Sequence, residues 1–262
     1  MDNREAGRMW NENADAWTEL ARAGYDVYRD HLNTPAFLAM LPEVRGLRGL
    51  DIGCGEGHNT RLLARQGAQM TGVDIAPRFV AHAKDAESRE PLGISYEVAS
   101  GIELPFGDAT FDFATAFMSL MDMAEADRAI REAFRVVKPG GFLQFSISHP
   151  CTDTSHRRNL RDANGRTYAL ELGGYFHGAD GDVTEWLFGA TPPDLKQRFK
   201  PFRAARFHRP LSGWLNAIMA AGFVIERVEE PQADDETVRR CHDMQDTQIM
   251  PYFLHVRCRK AV

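Results

Sequence analysis

The sequence predicts an α/β fold: an open, doubly wound sheet of mostly parallel strands. Three observations point there. From Leu47 to Ser148, short β-type runs alternate with helical stretches, the pattern of parallel strands joined by crossover helices. A bare turn, "DIGCGEG" from Asp51 to Gly57, follows the first run, at the strand-to-helix connection where open sheets of this kind receive ligands. The boundaries are punctuated as well: Gly67 follows the first helical stretch, Pro77 opens the second, and "KPGG" from Lys138 to Gly141 stops the third.

Taken in order, the first 46 residues read as a helical cover, with Trp10, Ala14 and Trp17 spaced by four and three. That stripe suits a helix packed on the sheet or one that covers a ligand. The core spans residues 47–148, with strands in "LRGLDIG", "QMTGVDI", "ISYEVA", "FDFATAFMSL" and "GFLQFSIS". Helices are expected in "NTRLLARQG", "RFVAHAKDAES" and "EADRAIREAFRVV". The rhythm then fails over residues 149–210, which are rich in Gly, Pro and aromatics without a clear period. An insertion of that length reads as a lid over a binding site. Residues 211–262 return to order with a helix in "LSGWLNAIMAAG", a strand in "FVIERVEE" and a last strand in "MPYFLHVRCRK".

Composition narrows the partners. The chain has 262 residues, 44% hydrophobic and 26% charged, with a formal net charge of -6. That balance speaks against a nucleic-acid or membrane-surface footprint. The N-terminus carries charges where a signal peptide needs an apolar core, and no apolar run reaches the roughly 18–20 residues of a membrane span. The expected location is the cytoplasm. Cys54, Cys151, Cys241 and Cys258 lie far apart without CxxC spacing, so they read as reduced thiols, and no metal site is expected.

Gly53, Gly55 and Gly57 occupy the first strand-to-helix turn, where glycine permits positive φ and lets a ligand approach the backbone. A dinucleotide fingerprint would require glycine at position 58, where this chain has His58. Asp74 ends the second strand, 19 residues after Gly55, and can accept hydrogen bonds from both hydroxyls of a ribose. Nicotinamide dinucleotide and S-adenosylmethionine sites share that feature.

"LDIGCGEG" with "GVDIA", "LPFGDATFDFATAFMSLMDM" and "REAFRVVKPGGFLQFSI" resembles the class I S-adenosylmethionine-dependent methyltransferases. The branch it is most similar to acts on small molecules and includes the ubiquinone and menaquinone biosynthesis enzymes. The resemblance implies a Rossmann-like sheet of seven strands with an antiparallel last strand, and S-adenosylmethionine as cofactor. It implies that Asp51 and the backbone of Gly53 and Gly55 face the methionine end, in a cofactor-binding loop that also holds Gly57 and Cys54; the cysteine itself reads as a small filler. Asp74 would hold the ribose and Ile75 would lie against the adenine. Ser100 and Gly101 stand where the family often has an Asp-Ala pair for the adenine amine, with Ile102 as an apolar contact. Phe117 and Met118 would pack near the sulfonium.

Methyl transfer from a sulfonium is an in-line displacement, so alignment of the acceptor is the main task, and a base is needed only when the acceptor must lose a proton. The sequence therefore says more about the donor than about the acceptor, which is expected to be a small molecule. Candidate catalytic residues follow strand ends: Asp122 in "SLMDM", which could instead cap a helix, and His149 in "SISHP", which could line the pocket, act as a base or merely form a turn with Pro150. His208 is a further position where the insertion returns. Tyr168, Tyr175, Phe176, Trp186, Phe188, Phe199 and Phe202 would either cage an acceptor or form the core of the insertion. Two other functions fit parts of the pattern: a non-catalytic protein that binds the same cofactor or its product, and a nicotinamide oxidoreductase.

Overall fold

A computed structural model describes residues 1–177 and 179–262. The cover begins with α1 (Asn3–Arg22), whose first turn is capped by the Asp2 carboxylate accepting from the Glu5 N–H at 2.8 Å. A π-helical turn (Arg29–Asn33) runs into α2 (Thr34–Met40). The core then alternates as β1 (Arg48–Ile52), α3 (His58–Arg65), β2 (Gln69–Asp74), α4 (Pro77–Arg89), β3 (Ser95–Val98) and β4 (Phe111–Phe117). A short 3-10 turn (Leu120–Asp122), α5 (Ala126–Val136) and β5 (Val137–Ser148) complete it.

The insertion is more regular than its sequence suggests. β6 (His156–Arg161) pairs antiparallel with β7 (Thr167–Gly173), and β8 (Asp180–Trp186) pairs antiparallel with β9 (Phe202–Phe207), with α6 (Pro193–Lys196) between the last two. Most of their side chains are half-buried or exposed. No buried face therefore imposes an apolar alternation on β6, β7 or β8, and β9 buries Phe202 with the consecutive Ala204 and Ala205, which breaks strict alternation, so the strands escape a periodicity reading.

The chain closes with α7 (Leu211–Ala220), β10 (Phe223–Glu229), α8 (Asp235–Arg240) and β11 (Phe253–Lys260). Seven strands form one sheet in the order β10-β11-β5-β4-β1-β2-β3. Only β11 runs against its neighbours, antiparallel to both β10 and β5, while β5, β4, β1, β2 and β3 pair in parallel.

Helices pack on both faces through stripes at helical spacing. On α5, Ala126, Ala129, Ile130, Ala133 and Val136 are all buried against the sheet, and each large apolar side chain so buried stabilises the fold by about 1.5–3 kcal/mol. The opposite face is filled by Phe113 stacked on Phe142 at 5.2 Å. Packing this dense on both faces leaves the carboxyl ends of β1, β2, β4 and β5 as the edge on which a ligand can be received. Among the described residues no helix is long and apolar enough to cross a membrane, and the four cysteines are free thiols.

Candidate active site

β1 ends in the glycine turn, and hydrogen bonds from Gly53 and Cys54 N–H to the Val73 carbonyl, at 2.8 and 2.9 Å, tie that turn to β2. Gly53 and Gly55 both have positive φ, +73° and +54°. A Cβ on Gly53 would strike Ser119, whereas one on Gly55 would meet no atom within 4 Å. Gly55 thus presents bare backbone to open space, the feature a closely approaching ligand requires. Asp74, 9% exposed, accepts from the Gly55 N–H at 2.9 Å through one oxygen and from the Ala76 N–H at 2.8 Å through the other. Burial pushes its carboxyl up to about 6, against the opposing pull of those two N–H donors.

These groups line one cavity of about 710 Å³, inside the range of about 300–1,000 Å³ for small-ligand sites. Gly53, Cys54, Gly55, Asp74, Ile75, Gly101, Phe117, Met118 and Asp122 all border it. Met118 has a positive φ of 51°, an uncommon conformation for a residue with a side chain and one that clusters at functional sites.

Several of the residues singled out in the sequence lie off the lining. Asp51 turns inward, accepting from Thr60 Oγ1 at 2.6 Å and Thr115 Oγ1 at 2.9 Å. It anchors the turn to α3 and β4 from behind, and burial raises its carboxyl. A Cβ on Gly57 would meet the Tyr96 hydroxyl, so that glycine relieves packing at the start of α3. Ser100 accepts from Asn3 Nδ2 at 2.9 Å, and Ile102 packs into the core beneath the sheet. His149 is 2% exposed, with its Nε2 on Glu230 Oε1 at 2.8 Å and its Nδ1 accepting from the Cys151 N–H at 3.1 Å. Both ring nitrogens are occupied in a turn with Pro150, and burial lowers the ring's pKa. It has no face on the cavity, contrary to the reading as a base or pocket residue. His208 has both ring nitrogens against carbonyl oxygens, those of Asp153 and Tyr175, and serves to fasten the returning strand of the insertion.

Asp122 resolves in the other direction. It ends the 3-10 turn, and the residue that precedes α5 is Glu125, which makes no side-chain cap. Its carboxyl borders the cavity, and burial, reinforced by the nearby Asp153 charge, pushes it well above the ordinary carboxylate range. Asp153 is itself paired with Arg206.

Several lining residues gave no sequence signal. The π-helical turn sets Arg29 and Asn33 on the cavity wall, and π-helical turns of this kind recur at functional sites. Asn33 Oδ1 accepts from His255 Nε2 at 2.6 Å and Ser146 Oγ at 2.8 Å. Burial holds His255 near a pKa of about 4, hence neutral. Both bonds go to the amide oxygen, so the amide NH2 is left without a protein partner among the described residues. Spacing alone could not have found these groups, because they meet only after β5, β11 and the cover have packed together.

The aromatic set of the insertion divides. Trp186 and Phe188 border the cavity, and with Phe202 they pack on Trp10 and Trp17 of α1, Trp17 lying 4.7 Å from Phe188 and 4.9 Å from Phe202. Tyr168 and Phe176 are exposed. The set is therefore chiefly a core joining the cover to the insertion. Gly7 lets α1 approach Ile75, since a Cβ there would lie 2.9 Å from that side chain. The cover both packs on the core and walls the cavity.

A profile described as a methyltransferase domain matches residues 50–145. Among curated proteins, the chain is similar to the O-methyltransferase cnsE of Penicillium expansum, 31% identical over 170 residues that make up 57% of this chain and 61% of that protein. It is also similar to the ubiquinone biosynthesis O-methyltransferase of Coxiella burnetii, 35% identical over 120 residues, 44% of this chain and 51% of that protein. The chain thus spans about half to three fifths of the length of these relatives. A solved S-adenosylmethionine-dependent methyltransferase from Mesorhizobium loti superposes with a TM-score of 0.68 at 30% identity, covering 86% of this chain and 96% of that one.

Proposed function

Because the chain belongs to the S-adenosylmethionine-dependent methyltransferases, we propose that it transfers the methyl group of that cofactor to a hydroxyl of a small molecule held in the same cavity. The observation that carries the reading is the cavity itself, bordered by the open backbone of Gly55, the carboxylate of Asp74 and the carboxyl of Asp122, which has no partner among the described residues. The O-methyltransferase names of the two curated relatives support a hydroxyl acceptor.

The residues present fit the cofactor. Asp74 keeps lone pairs free for hydroxyl donors beside the N–H groups it already accepts, and Gly55 leaves room where a Cβ would intrude. Phe117, Met118 and Ile75 supply apolar wall. When bound, the cofactor supplies an activated methyl with a neutral leaving group. The protein must then align the acceptor, exclude water and take up one proton. Asp122 is the group for the proton, because it borders the cavity and its carboxyl has no hydrogen-bond or ion-pair partner among the described residues. The insertion, which walls the cavity through Thr152, Asp153, Trp186 and Arg206, closes over the acceptor and excludes water.

A thermal-shift assay with S-adenosylhomocysteine against nicotinamide dinucleotide, followed by transfer of labelled methyl groups into small-molecule fractions, tests this. The expected result is stabilisation by the first ligand alone, by mass action, and label in a small molecule. Equal stabilisation by the dinucleotide, or binding without transfer to any acceptor, would overturn it.

A further inference from the structure

Most charged side chains bordering the cavity have partners. Asp153 is paired with Arg206, Glu56 with Arg22, Glu185 with Arg203, and Arg29 with Asp30. Arg157 is different. On β6 its neighbours His156 and Arg158 both bind Glu171, at 2.8 and 2.6 Å, on the face of the hairpin away from the cavity. Alternation along the strand turns Arg157 the other way, where it borders the cavity with no carboxylate or carbonyl partner among the described residues.

What Arg157 does contact is an aromatic face. Its guanidinium carbon lies 4.0 Å from the centroid of the Tyr252 ring, and Tyr252 is stacked on Tyr28 with centroids 5.6 Å apart and ring planes 24° from parallel. The three come from β6, the entry to β11 and the cover. Both tyrosines are held by their hydroxyls, Tyr28 donating to the Asp243 carbonyl at 3.1 Å and Tyr252 accepting from Asn159 Nδ2 at 3.4 Å. Tyr28, Tyr252 and Met118 belong to one apolar cluster with Leu32 and Phe253, so the platform adjoins the end of β4. A guanidinium whose face lies on a ring keeps its edge N–H groups for a planar anion, which it binds in two-pronged fashion.

We propose that Arg157, seated on the stacked Tyr28 and Tyr252, is the recognition residue for the methyl acceptor, and that the acceptor is a planar hydroxy compound bearing a carboxylate. The inference rests on the methyl-transfer reading. A carboxylate could also belong to the cofactor's amino-acid end, so the test separates the two sources.

Calorimetry on the full chain, saturated with S-adenosylhomocysteine, is run with 4-hydroxybenzoate, 3,4-dihydroxybenzoate and 4-hydroxycinnamate, each against its methyl ester. At least one acid is expected to bind about ten- to hundredfold more tightly than its ester, the scale of a charge-assisted hydrogen-bonded pair. Arg157→Met should erase that difference, Arg157→Lys should restore part of it, and both should leave S-adenosylhomocysteine affinity within about twofold. Arg157 is exposed, and an unchanged melting temperature checks that the variants are folded. Equal binding of acid and ester, no binding of any acid, or a loss of S-adenosylhomocysteine affinity in Arg157→Met overturns the proposal. Failure of the unaltered protein to bind S-adenosylhomocysteine at all would instead strike the methyl-transfer reading on which it rests.

Discussion

Two groups of residues line the cavity, and they are built in opposite ways. The glycine-turn group comes from a continuous stretch of core: Gly53, Gly55, Asp74 and Gly101 sit at successive strand ends, and much of what they offer is backbone. The other group is assembled from Tyr28 of the cover, Asp122 after β4, Arg157 and Arg206 of the insertion, and Tyr252 before β11. A site made of backbone conformation tolerates few substitutions and leaves a legible pattern. One made of side chains from distant segments can change chemistry while the sheet stays as it is.

The sharpest way to break this division is Gly55→Val. A side chain there would enter open cavity space at φ +54°, and binding of S-adenosylhomocysteine should become unmeasurable by calorimetry while the protein stays folded, with strain of about 1–2 kcal/mol. Retained affinity would mean that the cofactor does not lie against the turn. Next in size, Asp122→Asn should lower kcat by about 10²–10⁴ with S-adenosylhomocysteine affinity within a few-fold. A fall in affinity with kcat unchanged would move Asp122 from proton transfer to cofactor binding.

Asp74→Ala should weaken S-adenosylhomocysteine binding by about 1.5–3 kcal/mol, the scale of hydrogen bonds to a charged group. Its pH dependence sharpens the comparison further. Hydroxyl donors favour the ionised carboxylate, so affinity should rise with pH up to about 6, where Asp74 loses its proton, and be flat above. The alanine variant should lose that slope.

Asp74 and Asp26 are both held near 6 by burial, and their effect on stability has a definite sign. Below the ordinary value of 3.8 they are protonated in folded and unfolded chains alike. Between that value and about 6 only the folded chain keeps the protons, so their contribution falls as pH rises through this window and levels off above it. Denaturant melts of the Asp74→Asn protein against the unaltered one, from pH 4 to 7, should show the difference growing in favour of the variant up to about pH 6.

The smallest expected effect on chemistry is that of His149→Ala. With its ring enclosed in a turn and bonded to Glu230 and the Cys151 N–H, the substitution should lower stability by about 1–3 kcal/mol and leave kcat within about twofold. A large loss of kcat in a folded protein would return His149 to the catalytic site.

The sequence legibly determined the architecture, the glycine turn and its partner Asp74, because each rests on local rules. Alternating strand and helix patterns specify a parallel sheet, and positive φ selects glycine. A carboxylate at a strand end is placed by the strand itself. It also singled out Asp122 as a chemical group, without saying whether the carboxyl turned toward a helix or the cavity. The tertiary structure sets Asp122 on the cavity lining and Glu125 at the start of α5, and it places Asp51, Gly57, Ser100, Ile102 and His149 off the lining, each with partners behind or beside the cavity. It also brought in Asn33, Arg157 and Tyr252, whose partners in space are far away in the chain. Their roles depend on which side chains already have partners once the chain has folded, and no spacing along the sequence encodes that.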